Sequence, residues 1–183
     1  MQKLFFSLFL GFSLSATAQT TADPANSQSK SNGDIPNVSV FTIDDMPFDT
    51  KNIQNDGKPI VIDFWATWCK PCIKELNAIS DHYEAWQKET GVKIYAVSID
   101  DERTKSEVKP RVETWEWTYE ILKDPNSELK RAMNVTNVPH VFLLDGNRKI
   151  VSQHTTYAPG DEKHLYEEIK KLMEATAAEK KND

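Results

Sequence analysis

Cys69 and Cys72 are the only cysteines in the chain, and two residues separate them. Thiols at this spacing can form half of a zinc site, carry a c-type haem, staple a short loop, or exchange electrons with another disulfide. Structural zinc normally takes four protein ligands, and there is no second pair. Haem attachment would need a histidine directly after the second cysteine, where Ile73 stands. A bridge closing so short a loop removes little entropy from the unfolded chain, so it is a poor staple. Dithiol exchange fits best, with metal binding as the chief alternative.

The elements around the pair sharpen this reading. Ile60 to Ala66 is an apolar run with β-branched residues and reads as a buried strand. After Pro71, Cys72, Ile73, Leu76, Ile79, Tyr83 and Trp86 fall at helical spacing, which predicts a helix running to Thr90 with Gly91 at its end. Pro71 suits a first helical turn, where its missing N–H costs nothing. Cys69 is therefore expected at a helix N-terminus, where free N–H groups and the macrodipole favour a thiolate. That makes Cys69 the nucleophile and Cys72, one turn in on the apolar side, the resolving thiol. Lys70 is either a cation that favours the thiolate or a solvated surface charge. Asp63 interrupts the apolar strand, and a carboxylate there is costly unless paired or neutralised. It is either satisfied by local donors or an acid of raised pKa that relays a proton to Cys72. Glu75, one turn beyond Cys72, is either an ordinary first-turn glutamate or a group that tunes the site.

The segment Val61-Ile62-Asp63-Phe64-Trp65-Ala66-Thr67-Trp68-Cys69-Lys70-Pro71-Cys72 resembles the active-site segment of thioredoxins. With Glu75 it is similar to the TlpA/ResA branch of exported thiol-disulfide oxidoreductases. Val138-Pro139 resembles that family's cis-proline site, and Phe142 to Asn147 its strand-turn segment. Across residues 35–175 the resemblance implies a thioredoxin-like α/β sandwich, a mixed central sheet flanked by helices with an extra N-terminal β-hairpin. It also implies a protein-disulfide reductase with no cofactor and no metal. Protein thiols and disulfides would be its partners, met at Trp68, Lys70, Pro71, Val138 and Pro139. Two positions depart from the pattern: His140 follows the proline where threonine is usual, and Asn77 stands where proline is common. His140 with Cys69 and Cys72 defines a different-class alternative, a Sco-like copper-binding module.

Lys3 followed by the apolar run Leu4 to Leu14 and by Ala16-Thr17-Ala18 reads as a secretory signal over residues 1–18, too short for a comfortable membrane span. Export to a periplasmic or cell-envelope space follows, without stable membrane insertion after cleavage. Such a space is oxidising, so a reductase there needs a membrane-borne electron donor. The net charge is −6, and −7 without Lys3, which argues against nucleic acid as a partner. Residues 19–34 are polar and read as a flexible linker, and 176–183 as a polar tail.

Between these ends the pattern predicts an edge strand over Val38 to Ile43 and a second strand near Phe48 to Ile53. Further strands are expected over Val92–Ile99, Tyr119–Leu122 and His140–Leu144, the last turning into Ile150-Val151. Helices are expected over Ser106–Glu113, interrupted at Pro110, from Asp124 to Met133, and from Asp161 with the stripe Leu165, Ile169, Leu172 and Met173. Trp115 and Trp117 read as packing residues rather than a substrate-facing rim. His82, His154 and His164 lack motif spacing and read as surface residues.

Overall fold

The computed structural model describes residues 33–179. The expected secretory segment, 1–18, and the linker as far as residue 32 lie outside them. Seven strands form one mixed sheet: β1 (Ser39–Thr42), β2 (Pro47–Asp49), β3 (Ile60–Trp65), β4 (Lys93–Ser98), β5 (Glu120–Lys123), β6 (His140–Leu144) and β7 (Ile150–Thr155). Their order is β2-β1-β5-β4-β3-β6-β7. Helices α1 (Lys70–Ser80), α2 (Tyr83–Thr90), α3 (Val108–Trp115), α4 (Glu128–Ala132) and α5 (Asp161–Glu179) flank it.

All six residues of β3 are buried, as expected of a central strand covered on both faces. It runs parallel to β4 and antiparallel to β6, with Asp63 beside Ala96 on one side and Val141 on the other. That register brings the start of β6, and so Val138-Pro139, to the end of the sheet where β3 leads into the cysteine turn. Trp65 packs edge-on against Trp117 with centroids 5.0 Å apart and also meets Trp115, so these tryptophans are packing residues. The Trp117 indole N–H donates to Asn77 Oδ1 at 2.8 Å, which gives Asn77 an anchoring role.

The elements differ from expectation in several places, one being the second strand expected near Phe48 to Ile53, which ends at Asp49 and gives way to a 3-10 turn over Thr50–Asn52. The long helix expected to Thr90 divides into α1 and α2, because His82 N–H turns back to Ile79 O at 3.0 Å and His82 itself sits at φ −124°. Gly91 ends α2 in the left-handed region, at φ 69°. Pro110 does not interrupt its helix: as the third residue of α3 it lies in the first turn, where backbone N–H groups have no helical partner. β1 is not an edge, since it pairs with β2 and β5, leaving the three-residue β2 outermost. Asp34, assigned to the linker, bridges to Lys149. Helix α5 continues to Glu179, into the expected polar tail, because Ala177 and Ala178 are strong helix formers and Thr176 Oγ1 donates to Leu172 O.

Two close contacts hold turns of the chain to their neighbours, the first of them fastening the β1–β2 hairpin to β5. Lys123, buried on β5, donates its ammonium to Ile43 O at 3.1 Å and to Asp45 Oδ1 at 2.5 Å. The turn after β6 lies against the turn before β3 so closely that a Cβ on Gly146 would stand 2.1 Å from Gly57 O.

Candidate active site

The chain leaves β3 at Trp65 and turns at once, with Cys69 N–H returning to Ala66 O at 3.0 Å. Cys69 is the N-cap of α1, extended at φ −88° and ψ 94°, and its Sγ accepts from Cys72 N–H at 3.3 Å. A sulfur thus fills the place where a cap oxygen would satisfy a free helix N–H, next to the positive end of the macrodipole. Pro71 lies in the first turn, as expected. The two sulfurs form a disulfide between Cα atoms 5.3 Å apart. Cys72 is fully buried and Cys69 nearly so, whereas Trp68 is 60% exposed and Lys70 and Pro71 are also exposed. The thiol pair therefore lies under a rim of exposed side chains from the cysteine turn and the first turn of α1.

Asp63 is fully buried, and neither carboxyl oxygen has a hydrogen-bond partner among the described residues. Local donors do not satisfy it. Burial, followed by the nearby Glu75 carboxyl, raises its pKa well above the carboxylate range. Glu75 is buried too, and its Oε2 has no partner. Burial first, then repulsion from Asp161 and Glu162, raises its pKa to about 8. Each carboxyl opposes ionisation of the other, so near neutral pH the pair holds protons that isolated carboxyls would have released. Glu75 also faces a cavity of about 510 Å³ whose lining includes Val141, His154, Asp161, His164 and Glu168. His154 and His164 thus lie at the surface, as expected, but on the cavity rim. Sequence spacing gave no sign of that, because β7 and α5 supply the wall.

The Val138-Pro139 bond is cis. Pro139 is buried, and its carbonyl accepts from Thr156 N–H at 3.3 Å. Among the described residues, neither backbone polar group of the half-buried Val138 is hydrogen-bonded to another part of the chain. His140 stacks on Phe142, with centroids 4.4 Å apart, and its Nε2 meets Gln153 Oε1 at 3.1 Å. Burial lowers its pKa. Among the described residues no group of three or more His, Cys, Asp or Glu is arranged to hold a metal ion, and nothing supports the copper-binding alternative.

Known proteins are similar to this chain in sequence and fold. A thioredoxin-like protein from Porphyromonas gingivalis is 46% identical, with a TM-score of 0.69 over 76% of this chain and 92% of that one. StoA from Bacillus subtilis is 25% identical, with a TM-score of 0.58 over 73% of this chain and 96% of its own. The thiol-disulfide oxidoreductase ResA of Bacillus thuringiensis subsp. konkukian is 30% identical over 120 residues, 66% of each chain, so the match spans just under two thirds of that relative's length. The profile of the AhpC/TSA family matches residues 32–153, a stretch that holds the cysteine turn, both buried carboxyls and the cis-proline, and the chain belongs to that thioredoxin-like family.

Proposed function

We propose that this chain is an exported protein-disulfide reductase. One observation carries the reading: the Cys69–Cys72 disulfide, with Cys69 as N-cap, opens a helix at the end of a strand whose buried Asp63 has no hydrogen-bond partner among the described residues. In the reduced protein, Cys69 attacks a substrate disulfide as its thiolate, forms a mixed disulfide and expels the first substrate thiolate. Cys72 then passes its proton to Asp63 in those molecules whose raised-pKa carboxyl is ionised at that moment, and attacks Cys69 Sγ. The Cys69–Cys72 disulfide forms, and the second substrate thiolate leaves and takes up a proton. Two electrons pass to the substrate, and a membrane-borne donor restores the dithiol. Trp68, Lys70 and Pro71 form the exposed rim that meets the substrate, while the unpaired backbone of Val138 accepts its extended strand.

Export rests on the signal-like residues 1–18; among the described residues no helix is long and apolar enough to cross a membrane. Insulin reduction by the dithiol form tests the activity. Wild type should precipitate insulin B chain, Cys69→Ser should not, and Cys72→Ser should accumulate mixed disulfides that identify partners by mass. A wild-type protein without insulin turnover that binds Cu(I) tightly would reverse the assignment.

A further inference from the structure

Asp100 stands just beyond β4 and is fully buried, yet neither the disulfide nor the buried acid pair involves it. Its carboxylate accepts from Thr67 N–H at 2.8 Å, from Thr67 Oγ1 at 2.5 Å and from Ser98 Oγ at 2.7 Å. Its own N–H donates to Ser98 Oγ at 3.1 Å, so the serine is held from both sides. Thr67 and Ser98 are themselves buried. Every side-chain contact of Asp100 uses it as an acceptor. A carboxylate satisfies all three donors, whereas an amide would present N–H₂ to at least one of them.

The position of these bonds suggests their purpose. Thr67 is the middle of the turn from Ala66 to Cys69, which is otherwise closed by the single Cys69-to-Ala66 hydrogen bond. Ile99 N–H also donates to Trp65 O, at 2.9 Å, so the two chain ends leaving β3 and β4 are tied together there. The cysteine turn is thereby fixed to the neighbouring strand as well as to its own helix. We propose that Asp100 is a positioning residue for Cys69, clamping the Thr67 turn so that the sulfur stays on the axis of α1 at its N-cap. This rests on the reductase reading for its relevance to turnover, but the clamp acts on the thiol whatever the substrate. A turn that drifts by even an ångström moves the sulfur away from the free N–H groups that favour its thiolate and from the line of attack.

The test uses the full chain as Asp100→Asn, Asp100→Ala, Thr67→Val and Thr67→Ser, with reactivity of Cys69 against pH as the main readout. Asp100→Asn should slow alkylation of Cys69 at neutral pH about tenfold by raising its pKa by roughly one unit, and lower insulin turnover by a similar factor. Thr67→Val keeps the shape and drops the hydroxyl, so it should show part of that loss, and Thr67→Ser should restore it. Combining Asp100→Asn with Thr67→Val should be no worse than Asp100→Asn alone, since both break one clamp. A folded Asp100→Asn protein whose Cys69 titrates and exchanges like wild type overturns the proposal. Should the Asp100 variants fail to fold, the threonine pair decides, and Thr67→Val equal to wild type is again fatal. If wild type itself does not turn over insulin, the reductase reading falls, while the alkylation comparison still reports on the clamp.

Discussion

Asp63 and Glu75 are buried acids with unpartnered oxygens, and this shapes both chemistry and stability. Asp63→Asn removes the acceptor for the Cys72 proton, so it should slow release from the mixed disulfide more than its formation, by about 10² or more. Stopped-flow with a model disulfide separates the two steps, and equal slowing would indicate a structural role. For stability, Glu75 titrates near 4.5 in the unfolded chain and about 8 in the folded protein. Between these values the folded protein keeps a proton that the unfolded chain has lost, so stability is full below about pH 4.5 and falls as pH rises towards 8. The slope approaches ~1.4 kcal/mol per pH unit, and Asp63, also raised, acts in the same direction. Denaturant midpoints from pH 5 to 8 should therefore fall more steeply for wild type than for Glu75→Gln; parallel curves would refute the assignment. Asp63 was legible in the sequence because it breaks an apolar run. Glu75 was only half legible, since its burial depends on α5, far along the chain. Asp100 was not legible at all: an aspartate after a strand looks like any loop or cap residue until Thr67 is seen beside it.

The strands were readable wherever apolar and β-branched residues clustered, as in β3 and β4, because burial on both faces leaves little room for polar residues. Breaks were harder. The division between α1 and α2 falls at Asp81-His82, where no glycine or proline marks it and the apolar spacing simply continues. Pro110 misled in the opposite sense, because a proline's effect depends on its depth in the helix rather than its presence. The tight fit of Gly146 on Gly57 was also hidden, since Asp145-Gly146 reads as a generic turn. Gly146→Ala must push two backbones apart and should cost about 1–3 kcal/mol. Gly33→Ala, where a Cβ meets nothing within 4 Å, should be nearly neutral. Thermal melts of the two variants check this, and equal melting temperatures would mean that the turns part without cost.

Over the whole molecule, the mixed sheet flanked by helices was legible from element order alone, because strands alternating with helices and then a hairpin have few ways to pack. The direction of electron flow is a property of this scale. On the reductase reading proposed above, a helix N-cap is a place that favours a thiolate and hence the reduced protein, so a potential above the roughly −270 mV of thioredoxin is expected. A thiol shift of one unit is worth about 30 mV, so a shift of up to about three units places the expected value between roughly −270 and −180 mV. Equilibration with glutathione measures it, and a result near the −120 mV of DsbA would show an oxidase. The N-terminal hairpin matters at this scale for another reason. With it in place the sheet ends at β2, three residues opened by Pro47, a poor template for any further strand. Proteolytic loss of β1 and β2 would leave β5, with Ile121 and Leu122 at its centre, as a bare edge able to recruit the same edge of another molecule. On this side of the sheet the hairpin thus covers an edge open to strand pairing, while β7 forms the opposite edge, and a nick in the hairpin segment would add a second pairing surface to the molecule.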